Sequence, residues 1–108
     1  MPVPEHLKPI LAELKRGLEA IYGDRLKAVV LFGSQARGEA TSDSDVDVAV
    51  VLDGFESAIE ESSRMDRLLW RLSLDNDLVL MAVPLRETDW RVRGRQLLRN
   101  IAREGVAL

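Results

Sequence analysis

Two aspartates one residue apart, Asp45 and Asp47, follow a Gly33-Ser34 pair by ten residues, with Arg37 and Gly38 between. On a β-strand, side chains two apart share a face, so the two carboxylates would stand roughly 6–7 Å apart on one side. They would repel each other, and a cation should compensate. Val46, Val48, Val50 and Leu52 fall on the opposite face and would fix the register. Hard divalent cations such as Mg²⁺ take carboxylate oxygens together with substrate phosphates. A strand ending in Gly33-Ser34 would turn backbone N–H groups and a hydroxyl toward one point, which suits phosphate oxygens. Arg37 could add a planar, phosphate-pairing cation. In a hairpin-like arrangement, phosphate cradle and carboxylates would face one pocket, giving a nucleoside triphosphate site without a Walker sequence. Each signal alone is weak, because an Asp-X-Asp after Thr41-Ser42-Asp43-Ser44 also fits a solvated turn.

Other chemistries are closed off. The 108 residues contain no cysteine and one histidine, His6. That excludes a disulfide scaffold, a thiolate metal site, a cysteine nucleophile and a His-rich zinc site, and it counts against a Ser-His-Asp triad. Acid–base or metal chemistry must rest on carboxylates. The formal charge of −3 argues against a dedicated nucleic-acid binder. Twelve of the fifteen cations are arginine, which suits phosphate or carboxylate pairing, although compositional bias explains it as well. The longest uncharged run, Ala28 to Ala36, has nine residues, far short of the roughly 20 of a membrane span. No secretory signal is visible at the N-terminus, so the expected compartment is the cytoplasm.

The elements that must position these residues follow from periodicity. Leu7, Ile10, Leu11, Leu14, Leu18 and Ile21 form one apolar stripe, predicting a helix over about Pro4 to Tyr22 that becomes regular near Lys8. Leu26 to Phe32 reads as a buried strand. Ser34 to Ser44 reads as a loop with at most one helical turn, and Val46 to Leu52 as a second strand. Ile59, Met65, Leu68, Leu69 and Leu72 predict a helix over about Glu56 to Leu74. Leu78 to Leu85 is a third strand closed by Pro84. An amphipathic tail from about Thr88 to Glu104 is weakened by Gly94 and stopped by Gly105. The short connection makes the first two strands antiparallel neighbours, and the helix between strands two and three allows a parallel crossover. The expected class is α/β (α+β): a single domain over residues 1–108, with a mixed three- to four-stranded sheet and helices mainly on one face.

Gly33-Ser34, then ten residues, then Asp45-Val46-Asp47, with Arg37-Gly38 inside, resembles the signature of the DNA polymerase β-like nucleotidyltransferase superfamily. The short form Gly-Ser-X-X-Arg-Gly…Ser-Asp-X-Asp resembles its minimal nucleotidyltransferase (MNT) family, as does the closing Leu98-Arg99-Asn100-Ile101-Ala102-Arg103-Glu104-Gly105. The resemblance implies the polymerase β-like fold and transfer of a nucleoside monophosphate, usually from ATP. Gly33, Ser34, Arg37 and Gly38 would hold the nucleotide, with Arg37 stabilising phosphate charge. Asp45 and Asp47 would bind Mg²⁺, two ions in the family's mechanism. It further implies a HEPN-domain partner, hence a hetero-oligomer in which this chain is the antitoxin and transfers AMP to the toxin. The chain is consumed by the nucleotide-binding core, so an acceptor surface is expected from another chain.

Catalytic members of the superfamily usually carry a third carboxylate on a later strand. The candidates are Asp75 and Asp77, with Asp77 favoured at the strand's beginning as a catalytic and metal-binding residue; a solvated Asp-Asn-Asp turn is the alternative. Val79, Met81 and Val83 put no acid on the following face. Two other functions stay open: an antitoxin that neutralises its partner by occlusion alone, and a small-molecule nucleotidyltransferase whose acceptor domain lies in a partner chain. Trp70 and Trp90 read as core residues, Arg91, Arg93 and Arg95 as a solvated helix face, and His6 as ordinary surface.

Overall fold

The computed structural model describes residues 3–37 and 45–108. A 3₁₀ turn, Glu5–Leu7, leads into α1, Lys8–Tyr22, with Pro9 in its first turn, where a missing N–H costs nothing. Strand β1 is Leu26–Phe32, α2 is the single turn Ser34–Arg37, and β2 is Val46–Leu52. Helix α3, Ala58–Asn76, begins where the Ser57 side chain accepts the Glu60 N–H, satisfying a donor the helix cannot. Strand β3, Leu80–Arg86, precedes α4, Glu87–Val92, α5, Gln96–Glu104, and the two-residue β4, Val106–Ala107.

The four strands lie in the order β3-β2-β1-β4. β1 pairs antiparallel with β2, and β3 runs parallel to β2, as the connection lengths predict. β4 folds back antiparallel on β1, and two residues are too few to show a strand period in a sequence. Side-chain alternation splits the core. Val46, Val48, Val50 and Leu52 pack with Leu11, Leu14, Leu18, Met65, Leu68 and Leu72 of the two long helices. The other face is covered by the short C-terminal helices, where Ala49 and Val51 meet Leu98 and Ile101. β2 is therefore buried on both sides along most of its length, and this sandwiching fixes its register.

Three details differ from the periodicity. Pro84 lies inside β3, opposite Val50, rather than closing it; β3 is an edge strand, where a proline can direct its missing donor outward. Trp70 is 65% exposed, as Ile59 and Leu74 also are to a large extent, so Trp70 is not a core residue. The buried stripe of α3 runs through Met65, Leu68 and Leu72, and Trp70 sits off that line. Trp90 does pack against the second core cluster. The break around Gly94 takes Arg93 and Arg95 off any helix, Arg93 adopting a left-handed conformation as the C-cap of α4; only Arg91 of that trio is helical.

Candidate functional site

Strand alternation and pairing bring the end of β1 against the start of β2. Phe32 is the register partner of Asp47, so Gly33 emerges beside the Asp47 side chain. Gly33 has φ +78°, a backbone region open to glycine and strained for most other residues. It is also a close approach: a Cβ on Gly33 would lie 2.7 Å from Asp47 Oδ2. The positive φ favours glycine, and any larger residue would also have to push the Asp47 carboxylate aside. α2 starts at the next residue, so Ser34 opens this turn and Arg37 closes it. Gly38 lies outside the described residues.

Asp45 is exposed at the mouth of the strand, and Asp47 is half-buried. Both fall on the face opposite Val46 and Val48, as the period-two pattern requires. Burial, and then the neighbouring charge of Asp45, push the Asp47 carboxyl above its ordinary value. Among the residues whose side chains are described, which leave out Ser34 and Arg37, no Lys or Arg forms an ion pair with either aspartate. A pair of oxygen donors that repel each other at the start of a strand fits a hard divalent cation with room for phosphate ligands.

Asp77 is placed elsewhere. It caps α3 in the left-handed conformation, φ 52° and ψ 50°, a role that short polar side chains tolerate. It lines a groove with Asp66 and Trp70 of α3 that takes in neither Asp45 nor Asp47. Among the described residues no three acidic or His side chains gather as a metal cluster. The structure therefore does not bring Asp77 to the pair; nor is it in a solvated Asp-Asn-Asp turn, since α3 runs through Asp75 and Asn76 and Asp77 caps it. The β3 residue in register with Asp47 is Met81, which is apolar. One polar residue passed over in the sequence, Gln35, is buried to 5% exposure within α2; its position inside the Gly-Ser turn was the available signal.

A mixed sheet that sets a glycine bend against a strand-borne carboxylate pair is the frame of a nucleotide-transferring domain. The chain belongs to the nucleotidyltransferase domain family, whose profile matches residues 11–101. It is 32% identical, over 79 residues, to a Methanocaldococcus jannaschii protein provisionally named a protein adenylyltransferase, covering 73% of this chain and 79% of that one. Among solved structures, one described provisionally as a minimal nucleotidyltransferase is similar with a TM-score of 0.57 and 26% identity, over 94% of this chain and 95% of that one. A toxin–antitoxin structure with AMP-PNP gives a TM-score of 0.62 at 20% identity, over 96% and 72% of the two chains. A Shewanella oneidensis tri-AMPylated HEPN toxin in complex with an MNT antitoxin gives 0.50 at 18% identity, over 91% and 70%. The last two, at such low identity, show the shared fold.

Proposed function

We propose that this nucleotidyltransferase moves AMP from Mg²⁺-ATP to a hydroxyl of a protein acceptor, and that the acceptor is a HEPN-domain toxin with which it pairs as antitoxin in the cytoplasm. The observation that carries the reading is the contact of Asp47 with the Gly33 bend, because it joins a cation-seeking carboxylate to a phosphate-cradling turn. The provisional name of the M. jannaschii relative and the complex formed by the S. oneidensis neighbour support the choice of acceptor.

Asp45 and Asp47 would hold Mg²⁺, which supplies charge neutralisation at the phosphates. The Gly33 bend would hold the triphosphate in place, with Ser34, Arg37 and Gly38 contributing to its grip. In the transfer, the acceptor oxygen bonds to the α-phosphorus and the α–β phosphoanhydride bond breaks. Pyrophosphate leaves with the bonding pair, and the hydroxyl proton passes to solvent. The turn's part is positional: fixing the α-phosphate makes the attack effectively unimolecular.

The test is to purify the chain with its native partner and weigh the partner with and without Mg²⁺-ATP. A gain of one AMP unit, lost in Asp45→Asn and in Asp47→Asn, is expected; loss of a metal-ligating charge should slow transfer by about a thousandfold or more. Undiminished labelling by both variants would rule the mechanism out. A second reading, neutralisation by occlusion without transfer, is favoured by one observation, that Asp77 does not join the pair. It predicts full neutralisation by the doubly substituted Asp45, Asp47 protein.

A further inference from the structure

Charge is divided unevenly along the chain. Residues 91–103 hold five arginines, Arg91, Arg93, Arg95, Arg99 and Arg103, and no acidic residue. The remainder has ten cations against all eighteen acids, a formal charge of −8. So sharp a split points to a surface that meets an oppositely charged partner. Every residue from Arg91 to Leu97 is exposed, and two of them are apolar, Val92 at 78% and Leu97 at 48%. Arg91 reaches Glu87 at 3.2 Å yet keeps 74% of its side chain exposed.

The fold holds this surface in shape. Arg99 Nη1 donates to the Arg93 and Gly94 carbonyls at 3.3 and 3.1 Å, closing the break between α4 and α5. Arg93 Nε donates to the Trp90 carbonyl, and its guanidinium lies over the Trp90 ring. Arginines fixed by their own chain lose less freedom when a partner arrives. The surface also shares a side with the site. Asp45 and Asp47 have the strand parity of Ala49 and Val51, which pack with Leu98 and Ile101 of α5, so α5 and the carboxylates occupy one face of the sheet. α5 ends at the carboxylates' end of that face. Val106, two residues beyond it, is in register with Leu31, and the next β1 residue, Phe32, is in register with Asp47.

We propose that the arginine-bearing surface of α4 and α5 docks an acidic, partly apolar face of the acceptor protein and so presents the acceptor to the carboxylate pair. The proposal rests on the reading that the acceptor is a protein. Guanidinium groups pair with carboxylates in a bidentate manner, and Val92 and Leu97 would supply apolar contact between them. The acidic remainder of the chain repels the same partner, which leaves one favoured direction of approach. A protein suits this surface better than RNA, because residues 91–103 contain no aromatic side chain on which a base could stack.

The probes are two helical peptides of about twenty residues, with leucine on one face and either glutamate or glutamine elsewhere, and an oligouridine of similar length. The glutamate peptide is expected to bind at least about tenfold more tightly than the glutamine peptide. Arg91→Glu combined with Arg95→Glu should abolish that preference and leave Mg²⁺-ATP binding, followed by calorimetry, unchanged. Lys8→Glu combined with Lys27→Glu makes the same change of net charge at two exposed residues elsewhere, and should keep the preference. With the native partner as acceptor, the arginine reversals should raise the acceptor KM about tenfold. Equal binding of the two peptides overturns the proposal, as does a preference that survives the arginine reversals or disappears equally in the lysine ones. So does oligouridine that binds more tightly than the glutamate peptide and is lost with the same arginines, which would make nucleic acid the occupant. Transfer that is lost in Asp45→Asn but keeps its acceptor KM in the arginine reversals would overturn the docking surface and leave the proposed function standing. Transfer that persists in Asp45→Asn and Asp47→Asn would overturn the proposed mechanism, and the peptide preference would still decide the surface.

Discussion

The two ends of β2 treat their carboxylates in opposite ways. At the far end, Asp53 meets Arg25 Nε at 3.2 Å, and the same guanidinium donates to the Gly54 carbonyl at 2.7 Å and lies over the Tyr22 ring. Arg86 similarly donates to the Phe55 carbonyl and stacks on its ring at 4.4 Å. At the near end, Asp45 and Asp47 repel each other, and the Asp47 carboxylate lies against a bend whose positive φ favours glycine. One strand thus carries a carboxylate paired with an arginine at one end and two carboxylates that raise each other's cost at the other. Like charges gathered on a rigid, doubly buried strand are the mark of a site kept for a ligand.

The sharpest way to break the contrast is at Gly33. Gly33→Val forces a β-branched residue to φ +78° and drives its Cβ onto Asp47. It should cost about 1–3 kcal/mol of stability and, by displacing the bend, about a hundredfold or more in transfer rate, measured by denaturant melts and AMP incorporation. A valine variant with normal melting and activity would show that the near end is not strained.

The next effect belongs to the structural end. Burial first, and then the hydrogen bond and charge of Glu61, push the Tyr22 phenol up to about 12. The folded state holds this proton more tightly than the unfolded chain. Stability is therefore fully present below pH 10 and is lost as pH rises from about 10 toward 12, by an order of 2 kcal/mol. Tyr22→Phe should flatten this alkaline slope in urea melts.

Arg25→Ala removes an ion pair that is partly exposed and hence screened, together with the shorter bond to the Gly54 carbonyl. The expected loss is about 1 kcal/mol, seen in the urea midpoint, with AMP transfer unchanged.

The smallest effect has the opposite sign. Asp47 has a raised carboxyl, so the fold is favoured at low pH and weakened as pH climbs through the ordinary carboxylate range to the raised value. Asp47→Asn should therefore melt slightly higher than the parent at pH 7 without Mg²⁺, and should gain less on Mg²⁺ addition. If it instead melts lower while Arg25→Ala is neutral, the two ends have been assigned the wrong way round.

How much of this was legible in the residues varies by element. The amphipathic stripes of α1 and α3, the valine alternation of β2 and the Gly94 break are local periodicities, and the fold reproduces them apart from Ile21 and Ile59, which end up exposed. The Asp45/Asp47 face and its bend could be read because strand parity and glycine chemistry are also local. Trp70 could not: on a helix of this length several residues share an approximate stripe, and the neighbours decide which of them is buried. Asp77 failed for a related reason. Its parity fits an acidic strand beginning, but α3 continues to Asn76, so the aspartate becomes a helix cap and the strand starts three residues later.

The sequence by itself determined which groups repel, which residue types can bind phosphate or a hard cation, and which strand face each must occupy, since these depend only on chemistry and on a spacing of two. Tertiary structure alone decided that the bend and Asp47 touch and that Asp77 stays away. Those outcomes depend on how strands pair and where a helix ends, which are set by packing across the whole core rather than by neighbours along the chain.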